Sequence, residues 1–406
     1  EIASCLVGSE MCIRDSNKLK GDSVMFQLLA VCPMGLEAVV AKEIQELGYD
    51  TQVENGRIFF EGDESAIVRC NLWLRTADRI KIVMGRFNAT TFDELFEQTK
   101  SLPWETVIDK EGNFPVQGRS VKSTLYSVPD CQAITKKAIV ERLKHAHQEK
   151  GWLSETGAKY PVEVAILKDN VLLTIDTAGS GLNKRGYRIA QGEAPIKETL
   201  AASLIRLANW NGNTPLIDPF CGSGTIAIEA CLIAQNIAPG FNRDFVSEQW
   251  NMMPPNIYDK FRDEADQLAD YDKDIQVYAS DIDPEMIEIA KRNAEEVGLG
   301  DIIQFNVKDV NILSIDTDMP VALVGNPPYG ERIGDREEVE EMYRYIGTLL
   351  KQHPHLSAYI LTSNKEFEYL VNRKATKRRK LFNGYIECTY YQYWGKRPVS
   401  YTHLRA

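Results

Sequence analysis

The sequence predicts a chain of two parts: an α+β region of small mixed sheets, followed by a doubly wound α/β domain with a mostly parallel sheet. The second part is predicted because strand-like and helix-like segments alternate along it, which is typical of parallel sheets covered by helices. TPLIDPFCG (214–222), for example, has the pattern of a strand, and SGTIAIEACLIAQ (223–235) that of a helix. A length of 406 residues is also too great for one ordinary core.

Short strands and helices follow one another in the N-terminal part. Strands are predicted over MFQLLAVCP (25–33), GRIFFEG (56–62), RIKIVMGRFNA (79–89) and RSVKSTLYS (119–127), and a hairpin over 161–179 that turns at Asp169-Asn170. Helices are predicted over 35–48, 63–77, 91–102 and 131–151. Asp63 is the expected cap of the second helix. This part contains no obvious catalytic constellation.

The C-terminal part continues the alternation. Further strands are predicted over IQVYASDID (275–283), IIQFNVKD (302–309), PVALVGNPP (320–328) and LSAYILTSN (356–364), with a closing hairpin over 377–394 that turns at Asn383-Gly384. The helix PEMIEIAKRNAEEVG (284–298) follows the first of these strands. An insert at 238–274 is rich in Pro and Asp, and the sequence leaves open whether it covers another part of the chain or only forms a loop.

Composition excludes several classes of protein. The formal net charge of −11 disfavours a chain that is basic throughout, although a local basic face is enough to bind nucleic acid. No apolar run of about 18 residues predicts a membrane span. The eight cysteines form no C-x-x-C pair and have no His at ligand spacing, so neither a metal site nor a disulfide framework is predicted. We interpret them as reduced thiols of a cytoplasmic protein.

Both ends of the sequence differ in character from what they flank. Residues 1–24 and 399–406 resemble translated adapter or vector sequence, and neither stretch has the pattern of a signal peptide. The natural reading frame is therefore expected to begin near Met25 and to be cut near Pro398.

Polar residues and glycines stand where four predicted strands end, which is where doubly wound sheets bind ligands. The loop DPFCGSGT (218–225) places Gly222 and Gly224 before a helix, so its backbone can approach a ligand closely. Asp281 ends the next strand and can accept hydrogen bonds from both hydroxyls of a ribose. Asp283 is the alternative acceptor, but it is better placed to cap the next helix. Asp309 ends the third strand and could accept from an adenine amino group.

The Gly222-x-Gly224-x-x-Ala227 spacing also matches a loose dinucleotide fingerprint. A dinucleotide site needs an acidic residue about 20 positions later, at the end of the next strand. Here the next strand lies much farther along the chain, so this alternative is disfavoured.

These motifs carry a resemblance to a known family. DPFCGSGTIAIEA, SDIDPEMIEIAKRNAE, VKD and NPPYGERIG, in this order, resemble the class I S-adenosylmethionine-dependent methyltransferases. LNKRGYR (182–188) and APIKETLAASLI (194–205) are similar to the RNA guanine-N2 methyltransferases that carry a ferredoxin-like region and a THUMP RNA-binding domain. The resemblance implies a ferredoxin-like region at 25–70, a THUMP-like domain at 71–178 and a Rossmann-like methyltransferase domain with a mostly parallel seven-stranded sheet at 179–398.

The resemblance also implies which residues hold the cofactor, S-adenosyl-L-methionine, and which bind the target. The implied cofactor residues are Asp218, Pro219, Gly222, Gly224, Thr225, Asp281, Ile282, Asp309 and Asn326. Asn326, Pro327, Pro328 and Tyr329 are the implied catalytic residues. The Asn326 side-chain oxygen and the Pro327 carbonyl would each accept one N–H of an exocyclic amino group, and Tyr329 would stack on its base. Two prolines would fix this geometry before the substrate arrives.

The implied substrate is the N2 atom of a guanine in large-subunit (23S) rRNA. NPPY alone is shared with DNA adenine and protein glutamine methyltransferases, so the THUMP-like half and LNKRGYR carry the choice of RNA. The residues expected to contact RNA phosphates are Lys184, Arg185, Arg188, Lys377, Arg378 and Arg379. A tRNA substrate and a non-catalytic RNA-binding assembly factor are the alternatives. The domain over 179–398 is expected to fold alone, because all the motifs lie in it.

Overall fold

Two seven-stranded sheets, one in each half of the chain, organise the computed structural model, which describes residues 24–189, 195–329 and 335–396. Except for Val24, the two terminal segments predicted to be foreign lie outside the described residues. Residues 330–334 of the NPPYGERIG motif and Ala194 of APIKETLAASLI also lie outside them.

The first sheet is almost entirely antiparallel and has the strand order β2-β3-β1-β4-β7-β6-β5. Only β5 and β6 pair in parallel. The strands are β1 (Phe26–Val31), β2 (Thr51–Glu54), β3 (Arg57–Gly62), β4 (Arg79–Asn88), β5 (Val116–Val121), β6 (Val162–Leu167) and β7 (Asn170–Asp176). Because β4 pairs with both β1 and β7, the ferredoxin-like and THUMP-like regions share one sheet. The short strand β2 had not been predicted.

Four helices cover this sheet: α1 (Glu37–Glu46), α2 (Glu64–Trp73), α3 (Phe92–Ser101) and α4 (Val128–Ala146). The predicted cap of α2 is confirmed, because the Asp63 carboxylate accepts from the Ala66 N–H at 3.1 Å. The boundary expected between residues 70 and 71 lies inside α2, which is a continuous helix.

The second sheet confirms the prediction of a mostly parallel, doubly wound domain. Its order is β10-β9-β8-β11-β12-β14-β13, and only β14 runs against its neighbours. The strands are β8 (Leu216–Asp218), β9 (Val277–Asp281), β10 (Ile303–Val307), β11 (Val321–Gly325), β12 (Leu356–Thr362), β13 (Lys377–Asn383) and β14 (Ile386–Tyr393). Since β8 lies between β9 and β11, the carboxyl ends of β10, β9, β8 and β11 form one continuous edge.

Helices flank this sheet: α5 (Glu198–Ala208), α6 (Thr225–Ala234), α7 (Ile257–Leu268), α8 (Pro284–Glu295), α9 (Asp335–Gln352) and α10 (Phe367–Leu370). The predicted start of α8 is confirmed. Asp283 accepts from the Glu285 N–H at 2.8 Å, and Pro284 occupies the first helical position. Within the described ranges, no helix combines the length and the apolar composition that a membrane span requires.

Both predicted hairpins form, but the two turn residues lie one position earlier than predicted in the first hairpin and one position later in the second. Leu167 pairs with Asn170, so the turn residues are Lys168 and Asp169, which both have positive φ. In the other hairpin Asn383 pairs with Ile386, and the turn consists of Gly384 and Tyr385. Gly384, with φ of 62°, takes the first central position, as in a type II′ turn.

The insert at 238–274 covers the N-terminal half of the chain. Tyr258 of α7 accepts from the Asn71 amide of α2 at 3.0 Å, and that amide also donates to Thr177 at 3.1 Å. The Trp250 ring stacks on Tyr160 with 4.8 Å between ring centroids. The contacts of Tyr258 and Trp250 cross from one half of the chain to the other, so the insert is an interface rather than a free loop.

One hydrophobic core continues through both halves. It includes Leu28, Ile80 and Val164 of the first sheet and Ala227, Val277 and Phe261 of the second domain, all of them buried. Separating the halves would expose this core and the polar groups of the insert. That 179–398 folds alone stays a prediction, and its test has to account for this shared core.

We predict that Tyr258→Phe lowers the free energy of unfolding by about 1–3 kcal/mol, because it removes a buried hydrogen-bond partner of Asn71 and Ser247. Urea unfolding followed by tryptophan fluorescence measures the change. Tyr126→Phe, on an exposed tyrosine, is the control and should match the wild type. Equal unfolding curves for all three proteins would contradict a stabilising role of this network.

Candidate active site

A cavity of about 330 Å³ opens at the edge where β8, β9, β10 and β11 end. Its size lies within the range of about 300–1,000 Å³ that small-molecule sites occupy. Seven predicted site residues named for the cofactor line this strand-end cavity: Pro219, Gly222, Thr225, Asp281, Ile282, Asp309 and Asn326. Pro328 lines it as well. Asp218 and Gly224, which were predicted with them, are not on its wall.

The loop after β8 presents its backbone to the cavity. Gly222 has φ of 49°, and a Cβ atom added there would meet no atom within 4 Å, so the space beside it is open. Gly224 has φ of 83° and faces the other way, since its added Cβ would lie 3.0 Å from Ala290 of α8. Gly222 thus gives access to the cavity, and Gly224 allows α6 and α8 to pack closely.

Asp281 and Asp283 have different roles in the structure. Asp283 caps α8, whereas Asp281 lines the cavity. The Asp281 carboxylate accepts from the Gly222 N–H at 2.9 Å and from the Asp283 N–H at 3.0 Å, one on each oxygen. Each carboxylate oxygen has a further lone pair. Asp281 therefore fixes the loop and can still accept two hydrogen bonds from a ligand.

Two other residues complete this side of the cavity. Asp309 caps a short turn by accepting from the Asn311 N–H at 2.9 Å, which leaves part of its carboxylate available. Ile282 has 69% of its surface exposed and lies on the cavity wall. An exposed apolar side chain beside two carboxylates suits a ligand with a flat apolar face and polar edges.

Asp218 lies beneath the loop and is fully buried. One carboxylate oxygen accepts from the Phe220 N–H at 3.3 Å, and the other has no hydrogen-bond partner among the described residues. Burial raises the pKa of the Asp218 carboxyl to about 8, and the negative charge of Asp281 adds to the rise. At neutral pH this group is protonated, so it supports the loop as a neutral group.

Asn326 follows the last residue of β11 and its side chain is half-buried on the cavity wall. Its Oδ1 accepts from the Tyr329 hydroxyl at 2.7 Å. That hydroxyl in turn accepts from the Asn383 amide at 3.1 Å and contacts the Cys388 thiol at 3.5 Å. The Tyr329 hydroxyl thus faces the β13–β14 hairpin, and the side chain is not on the cavity wall. Stacking of Tyr329 on a base stays a prediction.

The two prolines hold the backbone beside Asn326. Pro327 is buried and Pro328 is exposed. The Pro328 carbonyl accepts from the hydroxyl of Tyr343, on α9, at 3.2 Å. Tyr343 has no exposed surface, so this bond ties the motif to the core of the second domain.

The structure corrects one of the residues predicted to contact RNA. Arg185 is buried, and its guanidinium donates to Glu229 of α6 and to the carbonyls of Leu182 and Arg75. A guanidinium in this position cannot reach a phosphate. The local sequence contains no signal of this burial, because an exposed basic run could have the same residues as KRGYR.

Arg188 is half-buried and hydrogen-bonded within the protein, and its contact with RNA stays a prediction. It donates to Glu198 of α5 at 2.7 Å and to the Thr225 hydroxyl at the start of α6 at 3.1 Å. It therefore braces the loop beside the cavity. Of the remaining predicted contacts, Lys184, Lys377 and Arg378 are exposed and Arg379 is half-buried.

Several residues on the cavity wall had not been predicted: Pro195, Ile196, Phe220, Lys308, Val310 and Met342. Pro195 and Ile196 belong to APIKETLAASLI, so that motif could have indicated them. Met342 comes from α9, and nothing in its local sequence points to the cavity. No group of three or more His, Cys, Asp or Glu side chains within the described ranges is placed to hold a metal ion.

Three family models match the chain in succession: an RlmL ferredoxin-like domain at 27–81, a THUMP domain at 89–176 and an RMKL-like methyltransferase domain at 185–392. The last match covers half of the chain. This chain belongs to the RMKL-like methyltransferase family. The resemblance to class I methyltransferases, and the order of a ferredoxin-like region, a THUMP domain and a methyltransferase domain, are thereby confirmed.

Relatives that match most of this chain support the same family. The chain is 57% identical to a Bacillus subtilis (strain 168) protein named "Putative RNA methyltransferase YpsC", over 92% of this chain and 97% of that protein. It is 31% identical to the "Ribosomal RNA large subunit methyltransferase K/L" of Shewanella frigidimarina, over 90% of this chain. The match covers 52% of that protein, so this chain spans about half the length of the K/L relative.

Solved structures have the same architecture. The crystal structure of "a predicted N6-adenine-specific DNA methylase" from Listeria monocytogenes is 56% identical, with a TM-score of 0.88 and coverage of 92% of this chain and 97% of that chain. SMU.472, "a putative methyltransferase complexed with SAH", is 45% identical at a TM-score of 0.88, with coverage of 92% and 99%.

We predict that Asp218→Asn weakens the pH dependence of stability. The folded state keeps the Asp218 proton up to a pKa of about 8, whereas the unfolded chain releases it near the ordinary pKa of 3.8. Stability therefore falls as pH rises between these two values. From pH 6 to pH 8 the wild type should lose about 2–3 kcal/mol more than Asp218→Asn, as measured by urea unfolding.

The control is Asp263→Asn, which alters an exposed aspartate of α7 and should leave the wild-type pH dependence unchanged. Parallel curves for the wild type and Asp218→Asn would show that this carboxyl is already ionised in the folded protein.

Proposed function

We propose that this protein transfers a methyl group from S-adenosyl-L-methionine to the exocyclic N2 of a guanine in large-subunit (23S) rRNA. One observation carries the proposal: the Asn326 amide lines the same cavity as Asp281, Asp309 and the Gly222 loop. A group that can bind a substrate amino group and a set that can bind a nucleoside cofactor therefore share one space.

The described residues fit the cofactor. Asp281 has two free lone pairs for the ribose hydroxyls, Asp309 can accept from the adenine amino group, and Ile282 offers an apolar surface to the ring. The open backbone at Gly222 leaves room for the methionine part. When bound, this cofactor supplies a methyl group on a positively charged sulfonium. SMU.472, at 45% identity, was solved as a complex with SAH.

The residues after β11 would prepare the amino group for attack. Its lone pair is delocalised into the guanine ring, so the nitrogen is a weak nucleophile. Acceptance of one N–H by Asn326 Oδ1 and the other by the Pro327 carbonyl would turn the lone pair toward the methyl group. The Tyr329 hydroxyl uses only one of the two lone pairs of Oδ1, so the second remains for the substrate. The two prolines keep both acceptors in place beforehand.

The choice of RNA as substrate rests on the N-terminal half. The THUMP model matches residues 89–176, and the K/L relatives are named as methyltransferases of large-subunit rRNA. The N2 of guanine comes from the resemblance of LNKRGYR and APIKETLAASLI to the guanine-N2 enzymes. We propose a cytoplasmic location for this protein. A tRNA substrate is the second candidate, since the same motifs serve both RNAs.

Mass spectrometry of nucleosides tests this function. Large-subunit rRNA from a strain that lacks the gene should lose one N2-methylguanosine, which mapping by fragment would locate. A plasmid with the wild-type gene should restore it, and one with Asn326→Ala should not. An unchanged rRNA together with a lost N2-methylguanosine in tRNA would favour the tRNA alternative. No change in either RNA would overturn the proposal.

Calorimetry separates the two groups of site residues. Asn326→Ala should abolish turnover while S-adenosyl-L-methionine still binds, because Asn326 would act on the amino group. Asp281→Ala should weaken cofactor binding by about 1.5–3 kcal/mol, through the lost ribose contacts and the freed Gly222 loop. Asp281→Asn keeps one acceptor oxygen and should give an intermediate affinity. If Asn326→Ala weakens cofactor binding as much as turnover, its assignment to the substrate is wrong.

A further inference from the structure

The turn of the β13–β14 hairpin lies beside the residues proposed to bind the amino group. Asn383, the last residue of β13, donates to the Tyr329 hydroxyl at 3.1 Å, and that hydroxyl donates to Asn326 Oδ1 at 2.7 Å. Two hydrogen bonds therefore connect the base of the turn to Asn326. Cys388, on β14, also contacts the Tyr329 hydroxyl, so both strands of the hairpin contact it.

An aromatic ring projects from this turn into solvent. Tyr385, the second central residue of the turn, has a relative exposure of 105%, and Ile386 beside it has 38%. Gly384 opens the turn with positive φ, and no atom lies within 4 Å of where its Cβ would be. Tyr329, in contrast, is half-buried and its hydroxyl is held by hydrogen bonds. Tyr385 is thus an exposed aromatic ring, close in the chain to Asn383, that is free to contact a large substrate.

The strand that leads to this turn is basic. Lys377, Arg378 and Lys380 are exposed on β13, which is an edge strand. Arg378 pairs with Glu368 at 3.2 Å and Lys380 with Glu387 at 2.6 Å. Exposed pairs of this kind are weak, so phosphates can compete for these cations. A basic strand that ends in an exposed aromatic ring has the two features of a surface that binds single-stranded nucleic acid.

We propose that Tyr385 stacks on the RNA at the mouth of the active site and fills the gap left when the target guanine leaves its stack. This inference rests on the proposed function, since it names how the same site would receive its RNA. A base in folded RNA has to be unstacked before its amino group can reach Asn326, and that step costs free energy. A ring inserted next to the vacated position replaces part of the lost stacking, as inserted side chains do in other nucleic-acid complexes.

Single-turnover methylation at saturating large-subunit rRNA tests the role of the ring. Tyr385→Ala should slow the reaction by about 5- to 100-fold, in line with the value of one base-stacking contact. Tyr385→Phe keeps the ring and should react at the wild-type rate. S-adenosyl-L-methionine affinity should be the same in all three proteins. Tyr369→Ala, on a tyrosine with 84% exposure next to the start of β13, is the matched control and should not slow the step.

Cross-linking provides a readout that needs binding but no methyl transfer. With rRNA that contains 5-iodouridine, irradiation should join the RNA to Tyr385, and mass spectrometry of the peptides should locate the link. A wild-type protein that cross-links at Tyr385 but does not methylate rRNA would overturn the proposed function, and with it the stacking role beside a target guanine, while showing that Tyr385 contacts RNA. The inference is overturned if Tyr385→Ala reacts within twofold of the wild-type rate. It is also overturned if cross-links form only at other residues, as they would if Tyr385 bound a protein partner instead of RNA.

Discussion

The buried ion pair between Arg185 and Glu229 is the contact on which the arrangement of the two halves depends. The Arg185 guanidinium is 3.3 Å from Glu229, and the carboxylate also accepts from Tyr187 at 3.0 Å. The same guanidinium donates to the carbonyl of Arg75, at the end of α2. Removing one partner of a buried ion pair lowers the stability of the fold by about 3–5 kcal/mol, because the other charge stays buried without a partner. The helix that follows the Gly222 loop is in this way attached to the N-terminal half, at the connection between α2 and β4.

This attachment connects the N-terminal half, through α6, to the loop that lines the cavity. α6 begins at the loop that lines the cavity, and Arg188 braces its first residue, Thr225. The N-terminal half therefore supports the position of that loop as well as carrying the THUMP domain. A shared core and a buried hydrogen-bond network leave little freedom for the RNA-binding half to move as a separate unit. The N-terminal half would therefore present RNA to the cavity from a surface whose orientation relative to the cavity is already fixed.

Features with a local sequence signal could be predicted, and those that depend on distant partners could not. The Gly222 loop, the Asp283 cap and the alternating strands and helices all arise from neighbours a few residues apart. Arg185 meets Glu229, 44 residues away, and Asn71 meets Tyr258, 187 residues away. Nothing in the local sequence distinguishes a buried arginine from an exposed one. The bond from Tyr329 to Asn326 spans three residues, yet it was missed because the motif suggested an aromatic face and not a hydroxyl.

The edge strand β13 is a second connection between the two halves, on the side of the cavity where Asn326 lies. A Cβ atom added to Gly35 would lie 2.6 Å from the Lys380 carbonyl, so the turn before α1 packs directly on β13. Three residues later Asn383 contacts Tyr329. β13 is therefore held by the ferredoxin-like region on one side and by the proposed catalytic motif on the other. An edge strand fixed at both points can keep its cations and the Tyr385 turn in a constant position relative to Asn326. Orientation of this kind is what a weakly nucleophilic amino group requires, since its reaction depends on how it is placed.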